Sequence, residues 1–139
     1  MNLTVEDIMT TPVMTVTKHQ RADHIAALMR EHKVSAFPVV GPDLEPLGII
    51  TSSDLLGPHA GSTHVSELMS TKVLTIMVND GPHVAARIMR NHRLHHVVVI
   101  DQHEVVGIVS AYDLLELVED HRFVARAAPT PSRRAPQRQ

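Results

Sequence analysis

The chain has no cysteine in its 139 residues. Disulfides and thiolate metal sites are therefore excluded, and the redox compartment is left open. Aromatic side chains are nearly absent as well: Phe37, Tyr112 and Phe123 are the whole set. A core must be built from Val, Ile, Leu, Met and Ala. No apolar run approaches the ~20 residues of a membrane span. The start, Met1-Asn2-Leu3-Thr4-Val5-Glu6-Asp7, lacks the basic residues and apolar run of a signal peptide. A soluble, cytoplasmic protein is the expectation. Also missing are a nucleophile elbow, a Walker motif, an HExxH motif and paired carboxylates at catalytic spacing, so an enzyme is not expected.

Charge is unevenly spread. Residues 1–121 hold all 15 acids against 8 Lys and Arg, while residues 122–139 hold five arginines and no acid. An acidic globular part argues against a nucleic-acid-binding core. The stretch 123–139 is basic, rich in Pro and Arg, with almost nothing to bury. It reads as a flexible tail, better explained as solvated than as a nucleic-acid arm.

What is present is a repeat. Sliding the chain by 60 residues aligns Val5-Glu6-Asp7-Ile8-Met9-Thr10-Thr11 with Val65-Ser66-Glu67-Leu68-Met69-Ser70-Thr71. The match continues through Val13/Val73, Thr15/Thr75, Met29/Met89, His32/His92 and Val39/Val99. After a one-residue deletion, Gly48-Ile49-Ile50-Thr51-Ser52-Ser53-Asp54-Leu55-Leu56 returns as Gly107-Ile108-Val109-Ser110-Ala111-Tyr112-Asp113-Leu114-Leu115. The units span 1–59 and 60–122. Each predicts a short helix (Val5–Met9, Val65–Met69) and an extended piece (Val13–Val16, Val73–Ile76). An amphipathic helix follows (Ala22–His32, Pro82–His92), with Ile25, Leu28, Met29 and His32 on one face. Then come two strands (Ser35–Val40 and Pro46–Ile50; His96–Ile100 and Val105–Val109) and a last helix, from Thr51 and from Ala111. The linker Gly57–Ser62 is too short to separate independent domains, and one unit alone could hardly bury enough surface. The halves are expected to pack on each other about a pseudo-twofold axis.

The chemistry of the repeated phrase follows from its order. A strand that turns into a helix offers free backbone N–H groups and partial positive charge, suited to phosphate. Thr51 and Ser110 add hydroxyls. Asp54 and Asp113, one turn in, can each accept two hydrogen bonds, as a ribose diol would offer. Gly48 and Gly107 allow a ligand or a neighbouring backbone to come close. A plainer reading stands beside this one: Thr51-x-x-Asp54 and Ser110-x-x-Asp113 are capping boxes that start helices.

Two units with a Met-(Thr/Ser)-x-x-Val opening and a closing Gly, two apolar residues and (Thr/Ser)-x-x-Asp resemble a tandem pair of CBS domains over about residues 3–120. The resemblance implies an α/β (α+β) fold of two β-α-β-β-α repeats. It implies a non-catalytic regulatory module that binds AMP, ADP, ATP or S-adenosylmethionine in clefts between the repeats, without a cofactor. It further implies a homodimer and a separate effector protein. Adenine would lie against Val13–Thr15 with Phe37 and Pro38, and against Val73–Thr75 with Val97. Basic residues before the strand contact phosphates in relatives, which points to His95 and His96. On this reading the better phosphate site belongs with Ser110 and Asp113. A scaffold with degenerate clefts is the alternative.

Histidine is abundant, at 11 residues. His92-x-x-His95 has a ligand-like spacing, but packing and capping explain the histidines better than a metal. Met9, Met29, Met69 and Met89 align pairwise and read as core or dimer interface. Leu114, Leu115, Leu117 and Val118 form an apolar stripe on the last helix that supports a homodimer.

Overall fold

The computed structural model describes residues 2–121. The expectations for the tail at 123–139, and for Phe123, lie outside these residues. The element order is α1 (Val5–Ile8), α2 (Ala22–His32), β1 (Ala36–Val40), β2 (Pro46–Thr51), a 3-10 turn (Ser52–Leu55), α3 (Val65–Leu68), β3 (Thr75–Met77), α4 (Pro82–His92), β4 (His96–Asp101), β5 (Glu104–Ser110) and α5 (Ala111–His121). This is a mixed α+β fold, as the repeat pattern predicts.

The units are alike but not identical. β1 and β2 form an antiparallel hairpin. In the second unit β4 and β5 pair in the same way, and β3 adds a parallel strand beside β4. The extended piece expected at Val13–Val16 is reduced to one parallel bridge, Val16 to Val39. The helix expected after Thr51 is likewise reduced to a single 3-10 turn. Gly57 and Pro58 follow it directly, and proline cannot continue a helix. In the second unit nothing interrupts the apolar run, and α5 reaches His121.

Side chains alternate across each sheet. Phe37, Val39 and Ile50 face Ile25 and Met29 of α2, while Val97, Val99 and Val109 face Ala85 and Met89 of α4. The opposite faces meet each other: Val40 packs with Val98 and Val105, with Val13, Ile49, Val73 and Ile100 around them. Two sheets therefore lie face to face, with the long helices outside. Burying a side chain such as Ile25 or Ile50, both fully enclosed, contributes about 1.5–3 kcal/mol.

The units exchange their first helices. Val5 of α1 is buried in the core of the second unit, and Val65 of α3 in the core of the first. The Val5 N–H donates to the Asp80 carbonyl at 2.7 Å, and the Val65 N–H to the Gln20 carbonyl at 2.8 Å. Met29 and Met89 are core residues. Met9 and Met69 lie half-buried against the second and first core respectively.

Candidate functional site

The same exchange continues one residue past each methionine. The Ile49 N–H donates to the Ser70 carbonyl, and the Ser70 N–H to the Ile49 carbonyl, both at 3.0 Å. In the other direction the Thr10 N–H donates to the Ile108 carbonyl at 2.9 Å. Each closing strand is thus bridged to the opening of the opposite unit. The glycine in each phrase serves this contact. A Cβ at Gly48 would meet the Ser70 carbonyl oxygen at 2.6 Å, and one at Gly107 the Met9 sulfur at 2.5 Å. Neither glycine has a positive φ, so space rather than backbone freedom is what excludes a side chain.

Because of this crossing, the phrase of the first unit shares a cleft with the opening of the second. The cleft has a volume of about 490 Å³, within the range of small-molecule sites. One wall carries Ile49, Thr51, Ser52, Ser53 and Asp54. The other carries Ser70, Lys72, Val73, Leu74, Val98 and the segment Arg93–His96, with Ser35 between them. A second cleft of about 400 Å³ holds Ser110, Ala111, Tyr112, Leu115 and Ile108 opposite Thr10 and the segment Lys33–Ala36. His95, His96 and Ser35 line both clefts.

Both phrases are capping boxes. The Thr51 N–H donates to Asp54 Oδ2 at 2.8 Å, and the Thr51 hydroxyl to the same oxygen at 3.1 Å. The Ser110 N–H donates to Asp113 Oδ2 at 2.8 Å, and the Asp113 N–H to Ser110 Oγ at 3.1 Å. In each carboxylate one oxygen is engaged by the cap, and the other is available to a ligand hydroxyl. The helix-dipole argument for phosphate does not carry to the first phrase, since a four-residue 3-10 turn sums few peptide dipoles.

Of the residues singled out in the sequence, Thr51, Asp54, Val73, His95 and His96 come together in the larger cleft. Ser110 lies in the smaller one with the same histidines. Asp113 lies at the outer face of α5 beside Tyr112 and Glu116, although its charge is still felt by His96. Leu74, within the stretch Val73–Thr75, also lines the larger cleft, whereas Val13, Thr15, Thr75, Phe37, Pro38 and Val97 line neither. Phe37, Pro38 and Val97 are buried, and Phe37 and Val97 belong to the helix-facing cores. Val13 packs between the sheets, and Thr75 lies in register with Val98 in the β3–β4 ladder. Side-chain alternation explains the misses: in a run such as Phe37-Pro38-Val39, sheet position sends some side chains away from any cleft. His96 stands opposite Ser110 in the β4–β5 ladder and feels the charge of Asp113, as the strand-entry reading expects, and the larger cleft sets both histidines beside Thr51 and Asp54 as well. Lys72 and Ser70 were not anticipated. The available signal was that Lys72 stands where the first unit has Pro12.

Burial pushes the His96 imidazole below its ordinary value, nearby His95 adds to this, and Asp113 opposes it. Ser35 Oγ lies 3.4 Å from His96 Nε2. Among the described residues, no three His, Asp or Glu side chains converge as a metal site would require. No described helix is long and apolar enough to cross a membrane.

Comparison with known proteins agrees with the architecture. The CBS domain model matches residues 5–58 and 65–120. The CBS domain-containing protein YhcV of Bacillus subtilis is 36% identical over 115 residues, covering 79% of this chain and 81% of that protein. Hypoxic response protein 1 of Mycobacterium tuberculosis is 28% identical over 127 residues, covering 87% and 89%. A crystal structure of Hypoxic Response Protein I with two coordinated zinc ions superposes with a TM-score of 0.73 at 28% identity, covering 82% of this chain and 98% of that one. The CBS domain pair of protein MJ0100, in complex with 5′-methylthioadenosine and S-adenosyl-L-methionine, superposes with a TM-score of 0.80 at 26% identity, covering 87% and 99%.

Proposed function

The chain belongs to the CBS domain family, and on that premise we propose that it is a non-catalytic sensor that binds an adenosine-containing ligand between its two repeats. CBS domain pairs are regulatory modules. The observation that carries the reading is the larger cleft itself. It brings the free oxygen of Asp54 to one wall, where a ribose diol could be held, and apolar Val73, Leu74 and Val98 with four basic side chains to the other. Adenosine derivatives in the related MJ0100 pair support this class of ligand. Bound ligand would favour one arrangement of the repeats, which an effector protein in the cytoplasm would read. Tyr112, Leu115 and Val118 expose apolar surface along α5, which supports a homodimer as the sensing unit.

Thermal denaturation with AMP, ATP, adenosine and S-adenosylmethionine tests the reading. Ligand that binds only the folded chain must raise the melting temperature by mass action. No shift with any of the four would favour a scaffold with degenerate clefts.

A further inference from the structure

The two exchanged helices are seated by the same backbone contacts but not by the same side chains. α3 rests on the loop that precedes α2. The Ser66 N–H donates to the Lys18 carbonyl at 3.0 Å, and the Val65 N–H to the Gln20 carbonyl at 2.8 Å. His19 sits between the two accepting residues, and His64 is the N-cap of α3, bridged to Arg21. The two imidazoles meet edge to face, with ring centres 6.2 Å apart and planes inclined at 84°. Both residues are exposed, and neither lines a cleft.

The duplicated fold does not need this pair. The equivalent seat of α1 has Asn79 where His19 stands, and Thr4 where His64 stands. Thr4 closes a capping box with Asp7. His64 caps α3 without a side-chain hydrogen bond, so this helix start forgoes the stabilisation of a capping side chain. Neither imidazole is hydrogen-bonded or ion-paired to another described residue.

Imidazole nitrogen suits zinc, nickel and copper. Two imidazoles on one tetrahedral zinc, each Zn–N bond about 2.0–2.1 Å, hold their ring centres about 5 Å apart. Rotation of two exposed side chains on a fixed backbone closes the difference. The Arg21 charge beside them is offset by its ion pair with Asp23 at 2.8 Å. No third His, Asp or Glu among the described residues converges on the pair. The site is therefore open, with water at the remaining positions, unlike the closed ligand set of a structural zinc. We propose that His19 and His64 bind one zinc ion, which staples α3 of the second unit to the first.

Isothermal titration of the metal-free full chain with zinc chloride tests this in the wild type, His19→Asn and His64→Thr. Each variant installs the residue that the other unit carries at the same place, so both should fold, and His64→Thr gains a capping hydroxyl. The wild type is expected to bind one zinc at this pair, and each variant to bind it about tenfold more weakly or worse. Magnesium, which prefers oxygen ligands, should bind none of the three. Zinc should raise the melting temperature of the wild type by mass action, and that of the variants less. Unchanged zinc affinity in both variants would place the ion on other histidines and overturn the proposal. So would a loss confined to one variant, equal binding of magnesium, or no zinc binding at all. Zinc held at the pair without a rise in melting temperature would sink the staple and leave the site.

Discussion

The α-carbon of Gly48 faces the carbonyl oxygen of Ser70 so closely that a Cβ would stand 2.6 Å from it. That contact joins the closing strand of one unit to the opening of the other, and it sets which residues share a cleft. The obstacle is backbone, which is itself held by the paired hydrogen bonds to Ile49. Gly48→Ala is therefore expected to destabilise the chain by about 1–3 kcal/mol. At Gly107 the obstacle is the Met9 side chain, whose thioether can swing away, so Gly107→Ala should cost less. Urea denaturation of the two variants checks this, and equal losses would contradict it.

Phe37 is 1% exposed within the core against α2. It should matter for stability and not for ligand. Phe37→Leu is expected to cost about 1 kcal/mol, with adenosine-ligand affinity unchanged by titration. A selective loss of affinity would return Phe37 to the site.

Asp54→Ala and Asp113→Ala each remove a capping carboxylate, and each should lose about 1 kcal/mol of stability. Only Asp54 lines the larger cleft. AMP affinity is expected to fall further in Asp54→Ala than in Asp113→Ala. The opposite order would place the working site with the second phrase.

Two histidines should tilt stability in opposite directions with pH. The His96 imidazole is depressed by burial and by His95, against the pull of Asp113. The unfolded chain takes up that proton near pH 6.5 and the folded chain only at lower pH, so stability falls as pH drops below about 6.5. His59 places Nδ1 3.0 Å from the Ala60 carbonyl and Nε2 3.0 Å from the Leu55 carbonyl. Both nitrogens donate only in the imidazolium, and the Ala60 and then the Leu55 carbonyl raise its pKa. Its contribution is present below about pH 6.5 and is lost as pH rises through the raised folded value. Denaturation midpoints from about pH 5 to 8 should show the acid-side loss flattened in His96→Asn and the neutral-side loss flattened in His59→Asn. Unaltered profiles would show that neither group contributes.

The apolar stripe of α5 divides in the fold. Leu114 turns to the core of the second unit, while Leu115 is 61% and Val118 41% exposed. If a second copy covers the outer pair, light scattering gives a dimer mass that Leu115→Asp reduces to a monomer. A monomeric wild type would end the dimer proposal.

The sequence alone was enough for most of what depends on neighbours along the chain, although the helix expected from Thr51 stops as a 3-10 turn. Ala22–His32 and Pro82–His92 form helices with the bounds that their apolar period marks. The boxes at Thr4, Thr51 and Ser110 close within four residues. The duplication was legible for the same reason, since matched residues need only be aligned. Duplication also hid the site. The openings Met9-Thr10 and Met69-Ser70 are so alike that each could dock on its own unit's closing strand or on the other's. Local pattern is the same in both cases. Tertiary structure decided for the crossed arrangement, through contacts such as Thr10 to Ile108 and Ile49 to Ser70. That choice brought Ser70 and Lys72 to Thr51 and Asp54, the packing of the two sheets set His95 and His96 beside them, and sheet alternation removed Phe37 and Val97 from the cleft.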